Sequence, residues 1–347
     1  IMFEKIRSLI FKFDPETAHD LAIKALKTNV IPVKAKTYES LKVKFLDKEI
    51  ANPIGIAAGF DKNAEVYNSL FQLGFGFVEV GTITPKPQFG NPKPRVFRLE
   101  EDEALINRLG FNNIGSEHAS LNIKKKTPKG LLGINIGPNK DTKNRADDYL
   151  KCFRIFCDLA DYITINISSP NTENLRSFHN PEELEELLNL INEEKTKIGS
   201  DTNIAVKIAP DIKTNDLDFI GNILLKNKIK FVIISNTSDR TRDNLKNINK
   251  FEKGGLSGKP IEEKSNLLIS EFYKIFKNKI KIIGVGGIDS GKSAYEKFIS
   301  GASYIQLYTG MVYQGPNIVN KISNELNDIL SSNGVKNIEE IIGSKKL

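Results

Sequence analysis

Between positions 166 and 172 the chain reads Asn166-Ile167-Ser168-Ser169-Pro170-Asn171-Thr172. The apolar run from Tyr162 to Ile165 precedes it, so these residues stand at the mouth of a buried strand. Two amides and two serine hydroxyls therefore leave that strand together. Amides suit a planar ligand with many hydrogen-bonding groups, and a hydroxyl can move a proton once something activates it. The same composition also makes an ordinary Ser/Asn/Pro turn, so the other strand ends must decide between the two readings.

Those ends follow a regular plan. After a small hairpin over Lys42 to Ile50, turning at Asp47-Lys48, apolar β-prone runs recur at 54–57, 77–80, 131–136, 162–167, 204–208, 231–235, 281–285 and 304–307. Helical periodicity fills most of the gaps, for example over 182–198 and 262–276. Eight strands alternating with helices predict a (β/α)8 TIM barrel over 39–347, with a doubly wound sheet as the alternative. Barrel sites lie at the C-terminal strand ends. There the chain carries Ala58-Gly59-Phe60-Asp61-Lys62, then Gly81-Thr82, Asn135 and Asn166 with Ser169. Lys207, Ser235-Asn236-Thr237, Gly286-Gly287 and Tyr308-Thr309-Gly310 follow. No metal-type cluster of His, Cys or Asp is among them. Gly286-Gly287 after the seventh strand and Thr309-Gly310 after the eighth supply backbone N–H groups for the usual barrel phosphate site. Two lysines without paired carboxylates suit an anionic, electron-rich ligand, and flavin mononucleotide (FMN) has both properties.

Composition narrows the classes. A net charge of +7 and a pI near 9.0 come from scattered lysines rather than a polybasic block, which reads as a solvated surface and not a nucleic-acid groove. Cys152 and Cys157 sit five residues apart in one amphipathic segment, too poorly aligned to bridge, and read as reduced core thiols of a cytosolic protein. No CxxC pair points to zinc. No apolar run reaches the ~18 residues a bilayer span needs, and the start lacks the apolar core of a signal peptide.

The first 38 residues form a separate amphipathic helical unit. Phe3, Ile6, Ile10 and Phe13 recur at helical spacing among Lys5, Arg7 and Lys12. Asp14-Pro15 opens a second helix with Ala18, Leu21, Ala22, Ala25 and Leu26, and a linker over Asn29 to Lys36 contains Pro32. Two readings stay open: the helices pack on the barrel, or they form a basic, apolar flap on a membrane surface. A second ambiguity is Gly286-Gly287-Ile288-Asp289-Ser290-Gly291-Lys292-Ser293, which matches the P-loop pattern. P-loop chemistry also needs an acidic residue directly after a buried strand to hold magnesium, and no strand here supplies one. In a barrel Lys292 would be an exposed first-turn residue.

Taken together the motifs resemble dihydroorotate dehydrogenases, specifically the quinone-dependent, membrane-associated class. They are Ala57-Ala58-Gly59-Phe60-Asp61-Lys62, Gly81 to Gln88, Pro94 to Arg98, Asn107-Arg108-Leu109-Gly110-Phe111-Asn112-Asn113, Asn166 to Thr172 and Gly284 to Ile288. The resemblance spans nearly the whole chain. It implies oxidation of dihydroorotate to orotate with FMN in pyrimidine (UMP) biosynthesis, electrons passing to a membrane quinone. The family's base falls on Ser169, where soluble relatives carry cysteine, with a relay through Thr172 beside Phe111. Substrate contacts fall on Lys62, Asn107, Arg108, Leu109, Gly110, Phe111, Asn166, Asn171, Asn236 and Thr237. Flavin contacts fall on Ala58, Gly59, Phe60, Asp61, Lys62, Thr82 and Asn135, and on Asn166, Lys207, Ser235, Gly258, Gly287, Tyr308 and Thr309. Ser235 replaces a commoner threonine but keeps the hydroxyl. The quinone tunnel would end at His19, Arg98 and Tyr308. The resemblance also implies a peripheral protein on the cytoplasmic face of a bacterial inner membrane, or on the mitochondrial inner membrane in a eukaryote. A monomer without metal or nucleic-acid partner is expected. A flavin barrel acting on tRNA, the rival reading, would need a strand-end cysteine and a C-terminal helical domain, and this chain shows neither.

Overall fold

The computed structural model describes residues 2–30, 33–172, 175–240 and 242–345. The chain runs through α1 (Met2–Ile10), α2 (Pro15–Lys27), β1 (Val43–Phe45), β2 (Lys48–Ile50), β3 (Ile54–Ile56), α3 (Tyr67–Gln72), β4 (Phe77–Ile83), β5 (Val96–Leu99) and β6 (Ala104–Asn107). It continues through α4 (Ser116–Lys125), β7 (Leu131–Ile136), α5 (Arg145–Phe156), β8 (Tyr162–Asn166), α6 (Pro181–Lys197), β9 (Asn203–Ile208), α7 (Leu217–Lys226), β10 (Phe231–Ile234) and β11 (Gly255–Gly258). It closes with α8 (Glu262–Phe276), β12 (Lys281–Val285), α9 (Gly291–Ser300), β13 (Tyr304–Leu307), α10 (Thr309–Gln314) and α11 (Ile318–Ser332).

Eight of these strands form a closed parallel barrel in the order β3, β4, β7, β8, β9, β10, β12, β13, with β13 pairing back to β3. Helical crossovers cover it, so the expected (β/α)8 TIM barrel is present and the doubly wound sheet is not. Val and Ile dominate the strands because both faces are buried, one against helices and one inside the barrel. The interior face holds larger groups. Gly55 and Gly133 make room for them: a Cβ at Gly55 would lie 2.5 Å from the Phe77 ring, and one at Gly133 2.2 Å from the Tyr162 ring.

The β1–β2 hairpin closes the floor. Phe45, fully buried, packs its ring centroid 5.0 Å from Phe77, 5.7 Å from Tyr162, 4.9 Å from Phe231 and 4.1 Å from Tyr304. Those four partners are the first residues of β4, β8, β10 and β13, so the plug sits at the N-terminal end of the barrel. The hairpin turns at Leu46-Asp47, one residue before the expected position, with Leu46 at positive φ.

At the opposite end a three-stranded antiparallel ribbon, β5–β6–β11, stands over the barrel mouth, a feature absent from the sequence reading. It receives the N-terminal helices. α2 begins at its Asp14 cap and packs on β5 and α3, while α1 lies against α10. Phe13 lies past the end of α1 rather than on it. Within the expected linker, Ile31 and Pro32 lie outside the described residues. The two cysteines are free and buried.

Candidate active site

One cleft at the C-terminal strand ends, enclosing about 1330 Å³ with its open mouth included, gathers most of the expected residues. Ser169, Asn166 and Asn171 line it from the loop after β8, with Asn236 and Thr237 after β10 and Asn107 at the end of β6. The amides are mutually held. Asn171 Nδ2 donates to Asn107 Oδ1 at 3.4 Å, and Asn236 Nδ2 donates to Ser168 Oγ at 2.9 Å. Ser169 is buried, and its Oγ accepts from the Asn171 backbone N–H at 3.2 Å. That donor favours the negatively charged form of the hydroxyl. Among the described residues no ionisable side chain hydrogen-bonds Ser169. Thr172 is buried but off the cleft wall, and no direct hydrogen bond joins it to Ser169; Phe111 does line the wall, with Leu109 and Gly110.

Two lysines, Lys207 buried and Lys62 half-buried, supply charge. Burial pushes Lys62 down to about 8, against the opposing pull of Glu16 and Asp20. Burial also lowers Lys207, with Glu79 acting in the other direction. Lys207 Nζ has no hydrogen-bond partner among the described residues, although its side chain is only 6% exposed and borders the cleft. An unpaired buried ammonium beside a cleft calls for an electron-rich group there. Neither lysine forms an ion pair among the described residues, though Glu79, a fully buried residue inside β4, acts on Lys207 through its charge.

The far end of the cleft is backbone-rich. Gly258, Gly286, Gly287 and Gly310 line it together with Thr309 and Lys259. Gly258 needs to be glycine: its φ is +96°, and a Cβ would meet the Glu103 carbonyl oxygen at 2.4 Å. Past Gly287, the residues matching the P-loop pattern serve the helix instead. Ser290 and Ser293 form the capping box of α9, and Lys292 is exposed as expected. This end suits a phosphate and the middle suits a hydrogen-bonding ring system, so the cleft fits FMN. Ala58, Gly59, Thr82, Ser235 and Tyr308 complete its wall.

Several expected contacts lie off the wall. Asp61 spends both carboxylate oxygens on the Glu65 and Val66 N–H groups, shaping the loop after β3. Phe60 packs behind it against His19 and Tyr308, with ring centroids 5.2 and 6.0 Å apart. Asn135 lies beneath Thr82 and Asn166. Arg108 turns outward to Glu252, Lys253 and Pro94.

A second microenvironment adjoins the cleft through Tyr308. His19, from α2, stacks on the Tyr308 ring at 6.4 Å and lies 3.3 Å from Lys62 Nζ through Nε2. Burial and the Lys62 charge hold the imidazole down at about 3, so it is neutral and Nε2 accepts. Arg98 does not join His19. It donates to the Phe11 and Phe13 carbonyls and stacks over the Phe11 ring at 4.6 Å, pinning the α1–α2 turn. Neighbouring Arg95 pairs with Glu16 through Nε and Nη2, a buried bond between ribbon and helix that sequence reading missed. Arg7 donates to the Tyr313 carbonyl at 3.1 Å.

Comparison with known proteins decides the family. Residues 40–330 match the model described as "Dihydroorotate dehydrogenase". The chain belongs to the dihydroorotate dehydrogenase family. Among relatives, it is 45% identical to the dihydroorotate dehydrogenase (quinone) of Bartonella tribocorum over 96% of this chain and 94% of that one. It is 43% identical to the one from Nitrosomonas europaea, over 92% of this chain and 96% of that one. A crystal structure of DHODH from Eimeria tenella in complex with ferulenol superposes with a TM-score of 0.92 at 36% identity, covering 95% of each chain. A ligand-free DHODH structure from the same organism also gives 0.92, at 37% identity over 95% of this chain and 99% of that one. The two superposed structures share the barrel fold over nearly the full length.

Proposed function

We propose that the protein oxidises dihydroorotate to orotate in pyrimidine biosynthesis, using FMN held in the cleft and a membrane quinone as final acceptor. The observation that carries this reading is the convergence of Ser169, four amides and two lysines in one cleft with a glycine-rich end. Lys207, Thr82 and Ser235 would hold the flavin ring, with Gly258, Gly287 and Thr309 around its phosphate. Bound there, FMN supplies a two-electron acceptor that takes a hydride from the substrate and later yields its electrons to quinone.

The chain's own groups do the rest. Asn107, Asn166, Asn171 and Asn236 orient a planar amide-bearing ring by paired donors and acceptors, with Thr237 at its edge. Ser169 Oγ takes the proton from the carbon adjacent to the hydride donor while passing its own proton on. Thr172, not bonded to Ser169 directly, would be the outlet through a bridging water. The Asn171 N–H stabilises the oxygen as charge develops. Lys62, charged below about pH 8, supports an anionic substrate. On the other side, His19 and Tyr308 form the wall towards the N-terminal helices, where quinone would approach. Exposed Lys5 and Lys12 beside exposed Leu9, Phe13, Leu21 and Val30 suit a peripheral attachment to an anionic membrane.

The deciding experiment is anaerobic. Dihydroorotate added to the FMN-loaded protein should bleach the flavin absorbance, and a quinone should restore it. A flavin that stays oxidised in excess dihydroorotate would refute the proposal.

A further inference from the structure

Glu79 is the feature of the barrel interior that the mechanism leaves unused. Its carboxylate collects three donors: Asn135 Nδ2 at 2.8 Å on one oxygen, and Tyr162 Oη at 2.9 Å with Gln306 Nε2 at 3.0 Å on the other. A carboxylate only accepts. Asn135 must therefore turn its NH2 towards Glu79. Its Oδ1 then faces the barrel mouth, where it accepts from Thr82 Oγ1 at 2.6 Å and Asn166 Nδ2 at 3.1 Å. Asn166, its NH2 committed, presents Oδ1 to Asn236 Nδ2 at 3.4 Å and to Ser168 Oγ at 3.1 Å. Each amide thus fixes the orientation of the next, from the barrel interior up to the substrate residues. The demand for donors is strong enough that Gln306 gives up its Nε2 while its own Oε1 stays buried without a partner. Glu79 also acts on Lys207 through its charge, opposing the effect of burial there.

We propose that Glu79 is the positioning residue of this site: it sets the direction of the Asn135–Asn166–Asn236 amide chain, and with it the donor and acceptor face offered to the ring ligands. The inference rests on the functional reading above. Glu79 lies off the cleft wall, so its positioning effect passes through the amides.

The test uses the full FMN-loaded chain and Glu79→Gln, a near-isosteric change whose amide can donate and so lets Asn135 invert. Orotate affinity, read from the shift in flavin absorbance, should fall about tenfold. The flavin potential should become more positive, because an uncompensated Lys207 favours the electron-rich reduced ring. Glu79→Asp, still accept-only and charged, should recover most of both. Tyr162→Phe and Gln306→Leu remove the other two donors without reversing the chain, so they should lower Tm while leaving orotate affinity and potential unchanged. Unchanged values in Glu79→Gln, or equal changes in Tyr162→Phe, would overturn the proposal. Should Glu79→Gln yield no folded protein, Asn135→Asp carries the test. That variant has no amide donor for Glu79 and sets two carboxylates against each other beside Tyr162, so orotate affinity should fall about tenfold or more. Wild-type affinity in that variant would overturn the proposal. A wild-type protein that holds neither FMN nor orotate would instead sink the functional reading, so the two failures are separable.

Discussion

At the scale of single residues, Ser169 and Lys62 make the sharpest demands. Ser169→Ala should keep flavin and orotate bound but slow flavin reduction by ~10²-fold or more, the size of a general-base contribution. Stopped-flow traces matching the wild type would remove the serine from its role. Lys62 gives a pH signature whose sign is fixed by its depressed value. The ammonium is charged below about pH 8 and neutral above it, so KM for dihydroorotate should rise above pH 8. Lys62→Arg keeps its charge throughout, and the rise should vanish there even if the overall rate drops. Ser169, Asn166, Asn171 and Asn236 were legible in the sequence because polar groups stand out after barrel strands, whereas Asn107, on the unforeseen ribbon, came only through the resemblance. Glu79 was not legible: a lone acid inside Phe77-Val78-Glu79-Val80 reads as part of a buried strand, and only the closed barrel shows that its face meets Asn135, Tyr162 and Gln306.

Among the elements, the N-terminal helices are joined to the catalytic unit by a polar clasp rather than by apolar packing alone. Glu16 on α2 faces Arg95 beside β5, with side chains only 10% and 7% exposed. Arg98, from the same ribbon, holds the turn between the helices. Glu16→Gln strips the ionic partner from a buried guanidinium, which should cost about 3 kcal/mol and lower Tm measurably. Since α2 also positions His19 against Tyr308, quinone turnover should drop more than dihydroorotate-driven bleaching; equal losses would contradict this division. Hydrophobic periodicity disclosed both helices and all eight barrel strands, to within three residues at their ends, because each buries a continuous apolar face. It did not disclose the ribbon. β11 pairs with β6 from far along the chain, and short strands such as Gly255–Gly258 carry no apolar alternation of their own.

For the molecule as a whole, no helix among the described residues is long and apolar enough to cross a membrane, and the proposed attachment runs through the surface of the first helices. A chain starting near Thr37 should still let dihydroorotate bleach the flavin, given that the cleft is built from residue 57 onward. It should lose both turnover with a long-tailed quinone and sedimentation with anionic vesicles, and the intact chain's vesicle binding should weaken as salt rises. Retention of both properties by the shortened chain would assign the helices another role. The closed floor carries a different consequence, one of timing. Phe45 and β3 leave the ribosome early, yet Tyr304 and the strand that pairs with β3 are made about 250 residues later, roughly 10–50 s at common translation speeds. Throughout that interval the first strand's edge is unpaired and the plug's ring has no complete socket, an invitation to wrong partners. The nascent chain should therefore depend on chaperones until its eighth barrel strand emerges, and then close in a single late step.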